Sequence, residues 1–154
     1  DATAMADYIQ RNSCGMPTIF FTGYSYGVGR YFIELAEALQ AHGLVIDTAV
    51  LCDGIRRFHF LKWLSLALFR DLITIRVPAN VETVYAFYQR EDRLLQGHAV
   101  VAYDADETEV EMIELHGYGH EEIDEAGSYH RVALKEAEDV IQAGLGYCYK
   151  GGAL

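Results

Sequence analysis

The stretch that decides the fold is Thr18–Leu39, TIFFTGYSYGVGRYFIELAEAL. Its β-branched and aromatic start, Thr18 to Phe21, predicts a buried strand, and from Tyr31 onward Phe32, Leu35, Ala36 and Leu39 recur at helical spacing. Between strand and helix stands Gly23-Tyr24-Ser25-Tyr26-Gly27, the G-x-S-x-G pattern. A turn this sharp strains its central residue and lifts that side chain clear of the sheet, while the glycines let the backbone pass its neighbours without a Cβ clash. Ser25 is then exposed where the next helix points its N-terminus, and the amide N–H groups and dipole there favour an anion. That arrangement suits acyl transfer. The competing reading is a glycine-rich strand-to-helix turn whose serine only caps the helix.

Working outward, residues 1–15 read as a short helix with Met5, Tyr8 and Ile9 on its apolar side, and Pro17 leads the chain extended into the strand. The helix after Ser25 runs to about His42 and stops at Gly43, a left-handed cap. Val45 to Cys52 follows as a second buried strand ending in Asp53-Gly54. Strand, helix and strand within about 35 residues make a βαβ unit, which implies a parallel sheet.

Beyond it, Arg56, Arg57 and His59 lead into a run from Phe60 to Phe69, including Trp63, that is apolar on nearly every side of a helix. Such a helix is either deeply buried or meets an apolar partner, including a second copy of the chain through 58–69. Thr83 to Tyr88 reads as a third strand, followed by Gln89-Arg90-Glu91-Asp92-Arg93. His98 to Tyr103 and Glu109 to Leu115 flank an acidic turn and predict a hairpin. His116-Gly117-Tyr118-Gly119-His120 comes next, then a helix over about Tyr129 to Ala143 with Lys135 and Asp139 paired at i,i+4, and a flexible tail over 144–154.

Composition narrows the function. A chain of 154 residues, 51% hydrophobic and 23% charged, suits one soluble globular domain. A formal charge of −11 argues against nucleic acid or an anionic membrane surface as partner. Cys14, Cys52 and Cys148 are far apart with no C-x-x-C, so neither a disulfide framework nor a structural zinc site is indicated, and Cys52 reads as simply buried. No signal-peptide pattern or membrane-spanning segment is visible, which makes a cytoplasmic location the default expectation. Gly23 to Gly29 matches neither the dinucleotide fingerprint nor a Walker A lysine, and no cofactor or metal is expected.

On the elbow residues the chain resembles the α/β-hydrolase superfamily, of the serine esterase, lipase or thioesterase kind. The resemblance covers residues 18 to about 143, the second half of that fold, because almost nothing precedes the nucleophile strand. It implies a truncated three-layer α/β sandwich around a mostly parallel sheet, over a single domain 1–154 with 55–77 as a cap or lid insertion. It also implies a catalytic triad in the order nucleophile, acid, histidine, each beyond the carboxyl end of a strand. Ser25, Asp92 and His120 fit that order, since Tyr88 to Asp92 looks like the family's strand-then-Asp turn and Gly117 to His120 like its histidine loop. Asp53 is the rival acid because it too follows a strand, and His116 and His130 are rivals of His120. The backbone N–H of Tyr26 would supply one oxyanion donor. The second donor, in that family, comes from a segment without counterpart here. Tyr24, Tyr118 and Trp63 are expected to contact a small-molecule acyl substrate, an ester or thioester. The alternative is a catalytically inactive half-hydrolase that serves as a binding or oligomerisation module.

Overall fold

A computed structural model of the chain describes residues 1–13, 15–56, 73–92 and 95–148. The expected apolar helix 58–69, with Trp63 and most of the 55–77 insertion, lies outside the described residues, as do residues 149–154.

The chain is an α/β protein. Helix α1 (Ala2–Asn12) is capped by Asp1, whose carboxylate accepts from the Thr3 amide, and buries Ala6 completely. Met5 and Tyr8, expected on the inner face, are instead exposed, because the stripe that meets α2 runs through Ala6 and Ile9. Strand β1 (Phe20–Tyr24) leads into the elbow, a π-helical turn over Gly27–Phe32, and α2 (Ile33–Ala41). Gly43 closes α2 at φ 68°, with the Leu44 amide reaching back to the Leu39 carbonyl at 3.0 Å, as a left-handed cap requires.

Four parallel strands form the main sheet in the order β1, β2 (Ile46–Cys52), β4 (Val81–Tyr88), β6 (Glu109–Glu114). The register sets Tyr24 beside Cys52, Cys52 beside Phe87, and Phe87 beside Ile113, so the carboxyl ends of all four strands reach one rim. Two layers of apolar side chains hold this sheet. Ala49 and Leu51 of β2 face Val28, Phe32, Ala36 and Leu39 on one side. Val50 and Cys52 face Ile123, Ala126 and Tyr129 on the other, at the start of α3 (Gly127–Cys148). A strand buried on both faces is what a continuous apolar run such as Ala49 to Cys52 encodes.

Two further expectations fail. The segments 98–103 and 109–115 do not form a hairpin: β5 (Ala99–Ala102) pairs in parallel with β3 (Thr74–Val77), and β6 pairs in parallel with β4. The connections from β2 to β4 and from β4 to β6 thus each carry a short strand, and those two strands zip together. Ile75, Val77 and Val100 then add to the core on the α2 side of the sheet. The last helix also continues beyond Ala143 to Cys148. Among the described residues no helix is long and apolar enough to cross a membrane.

Candidate active site

At the rim where the four strands end, three side chains from three loops meet. Ser25 follows β1, Asp53 follows β2, and His120 comes six residues after β6. The Ser25 Oγ lies 2.9 Å from His120 Nε2, and His120 Nδ1 lies 2.6 Å from Asp53 Oδ2. A carboxylate only accepts, so His120 carries its proton on Nδ1 and turns the Nε2 lone pair toward the serine hydroxyl. Exposure falls along the line: Ser25 is partly exposed, His120 is 6% exposed and Asp53 is fully buried.

The backbone of both flanking residues is strained. Ser25 sits at φ 55° and Asp53 at φ 45°, the left-handed region that non-glycine residues seldom occupy. Surrounding bonds hold them there. The Ser25 amide donates to the Cys52 carbonyl at 2.9 Å, and the Ser25 carbonyl accepts from the amides of Val28, Gly29 and Ile55. The π-helical turn presses its backbone so closely on the loop after Asp53 that a Cβ at Gly29 would lie 2.0 Å from the Ile55 carbonyl oxygen. Glycine at 29 therefore lets the elbow and the acid loop touch directly.

The acid expected on sequence grounds was Asp92, with Asp53 as its rival; the carboxylate that meets His120 is Asp53. Four donors converge on it. Oδ1 accepts from the amides of Gly97 at 2.8 Å and Gln89 at 3.3 Å, and Oδ2 accepts from Gln89 Nε2 at 3.0 Å besides His120. Asp92 stands one step back. Its amide donates to Gln89 Oε1 at 2.8 Å, and its Oδ1 accepts from the Leu95 amide at 3.1 Å. Asp92 thereby shapes the turn that orients Gln89. Gln89 and Gly97 were not anticipated as site residues. The one local signal for Gln89 is a polar residue directly after β4, and for Gly97 a glycine two residues before β5.

The aromatic residues take different places. Tyr24 stacks on the His120 ring, with centroids 5.1 Å apart and planes 26° from parallel, and its hydroxyl donates to the His120 carbonyl. Tyr118 packs with the apolar cluster around Val50 and Phe87. The backbone of Tyr26 is helical, opening the turn directly after Ser25, and its hydroxyl accepts from Arg30 Nη1 at 3.0 Å. Trp63 lies outside the described residues. His116 is an exposed side chain beside Glu114, and His130 starts α3, so neither is the imidazole at Ser25.

Cys52, beside both Ser25 and Asp53 in sequence or space, is no rival nucleophile, since burial first and the Asp53 and Asp124 charges next lift its thiol well above the ordinary value. Behind the acid loop, His98 is 2% exposed and its Nδ1 accepts from the Arg56 amide at 2.8 Å. Burial lowers its pKa, opposed by the Asp53 charge and reinforced by Arg90. An open groove of about 320 Å³ starts at Tyr26 and Gly29 and passes Arg30 and Glu37 to Arg56. A neighbouring groove of about 370 Å³ shares Glu37 and Arg56 and reaches Arg76 and Tyr103. Neither is lined by Ser25 or His120; the first begins at Tyr26, beside Ser25, and the second runs away from it to Asp104.

Comparison of the chain with protein-family models, curated proteins and solved structures finds no match. The geometry alone therefore bears the functional argument.

Proposed function

We propose that the chain is a serine hydrolase that cleaves an ester or thioester through an acyl-enzyme on Ser25, built on a truncated form of the α/β-hydrolase three-layer sandwich. The observation that carries this reading is the unbroken line from Ser25 Oγ to His120 Nε2, 2.9 Å, and from His120 Nδ1 to Asp53 Oδ2, 2.6 Å. A serine hydroxyl becomes nucleophilic when a base takes its proton as it attacks, and the base needs a partner that fixes its tautomer and steadies the imidazolium. In this reading Ser25 Oγ bonds to the substrate carbonyl carbon while its proton passes to His120 Nε2. His120 returns that proton to the departing oxygen or sulfur, and water then releases the acyl group by the same route. Asp53 stays ionised throughout. The Tyr26 backbone N–H, at a helix N-terminus, is the oxyanion donor assigned here.

A fluorophosphonate probe with intact-mass readout tests the proposal. One adduct per folded chain that disappears in Ser25→Ala is expected; folded protein that never labels overturns it. A second reading, the inactive binding or oligomerisation module, draws on one observation: β1 is an edge of the four-stranded sheet and hydrogen-bonds to β2 alone among the described strands. An exposed edge is a template for pairing with another strand. The unlabelled outcome favours that module.

A further inference from the structure

Tyr24 ends β1 immediately before the nucleophile, in the place expected for a residue that rims a substrate pocket. Its contacts point elsewhere. One side chain holds His120 twice, with the ring face stacked on the imidazole and the hydroxyl bonded to the main-chain carbonyl of the same residue. Asp53 at Nδ1 and Ser25 at Nε2 hold the imidazole by its edge, which leaves the ring free to tilt about the line between them. A flat face against it removes that freedom. The stacked phenol does more once the reaction begins, because a ring face within about 6 Å of its centroid attracts a cation, and His120 takes on positive charge as it accepts the Ser25 proton.

Resting on the hydrolase reading, we infer that Tyr24 is a positioning residue: it keeps the His120 imidazole in line between Ser25 and Asp53 and favours its charged form, and it is not part of the substrate pocket. The hydroxyl is suited to the tether. Burial, then the Asp124 and Asp53 charges, with Cys52 and Glu121 after them, push its pKa up to about 12, so it keeps its proton and remains a donor at neutral pH. These same groups face Tyr24 and the His120 imidazole, and His98 and Arg90 lie behind Asp53 on the far side of the acid loop. Asp53 comes from the loop after β2, Cys52 from β2 itself, and Glu121 and Asp124 from the segment that carries His120.

Three measurements on the full chain separate this from a pocket role. The first is the labelling rate with ethyl and octyl fluorophosphonates across pH. Tyr24→Phe keeps the stacked ring, so labelling slows by no more than about tenfold and the acid limb of the pH profile stays in place. Tyr24→Leu loses both holds, so labelling slows by about a hundredfold and the acid limb moves to lower pH by about half a unit. The second measurement is the ethyl-to-octyl rate ratio, expected to be the same in wild type and both variants. A ratio that changes in both variants while the acid limb stays put overturns the proposal and makes Tyr24 a pocket residue.

The third measurement is independent of turnover: the low-field proton signal of the His120 Nδ1–H in Ser25→Ala protein. It is expected to persist with Tyr24→Phe and to broaden or vanish with Tyr24→Leu. An unchanged signal with Tyr24→Leu overturns the proposal. If Tyr24→Leu does not fold, Tyr24→Phe decides through the rate ratio and the signal together. A wild-type chain that never labels, yet loses the signal with Tyr24→Leu, sinks the hydrolase reading and leaves the hold of Tyr24 on His120 standing.

Discussion

Gly97 and Asp53 touch through one atom: the Gly97 amide donates to Asp53 Oδ1 at 2.8 Å, and a Cβ at position 97 would lie 2.3 Å from that same oxygen. The carboxylate is buried and held by three other donors, so it has nowhere to retreat. Gly97→Ala is therefore expected to turn the carboxylate away from His120. Fluorophosphonate labelling should fall by about a hundredfold while thermal unfolding shows a loss of about 1–3 kcal/mol. Wild-type labelling in the alanine variant would mean that Asp53 does not orient His120.

Four donors around Asp53 also make its amide counterpart a poor substitute. In Asp53→Asn one amide N–H must face a donor, and the least costly escape is for His120 to shift its proton to Nε2, the atom that must accept from Ser25. Labelling should drop by about 10³–10⁴-fold. Asp92→Asn keeps both the main-chain N–H that meets Gln89 and an oxygen for the Leu95 amide, so the expected loss stays under about tenfold. The sequence pattern led to the opposite ranking, and measuring both variants side by side decides it.

The backbone at Ser25 gives a stability prediction that runs against the usual cost of glycine. At φ 55° an alanine keeps the steric strain that a glycine relieves. Ser25→Gly should unfold at a higher temperature than Ser25→Ala, by about 1 kcal/mol, although both abolish labelling. Equal melting of the two would show that the elbow is not strained in solution.

His98 links pH to stability. Burial lowers its pKa in the fold below the ordinary value of 6.5, so the unfolded chain takes up a proton first as pH drops. The stability it contributes is complete above pH 6.5 and drains away as pH falls toward the lowered folded value. Protonation also ends the bond that Nδ1 accepts from the Arg56 amide. His98→Asn offers an oxygen in place of Nδ1 and does not titrate. Denaturant unfolding at pH 7 and pH 5 should show a smaller loss in the variant than in wild type, and equal losses would remove His98 from the acid response.

What could be read from sequence and what could not divides along locality. The elbow around Ser25, the Gly43 cap and the glycine-flanked His120 loop are spelled out within a few residues by φ requirements and spacing, and the parallel βαβ unit follows from β1, α2 and β2 in succession. The choice between Asp53 and Asp92 depends on which loop ends up under His120, a matter of sheet order that no short window contains. Asp92 is favoured by its resemblance to a strand-then-Asp turn, whereas the carboxylate that meets His120 is Asp53, fully buried. The hairpin expectation failed for the same reason. Two short extended runs around an acidic turn look locally paired, but each found a parallel partner far away in sequence, β3 for β5 and β4 for β6. Thr74–Val77 is too short and too close to the apolar run to stand out as a strand.

The acidic turn Asp104–Glu107 leads into β6 at the amino ends of the parallel strands, opposite the rim that carries Ser25. Its four residues are exposed. A dye or an affinity handle inserted at Ala105 would therefore report on the folded chain, or anchor it to a bead, while leaving the rim of Ser25, His120 and Asp53 clear.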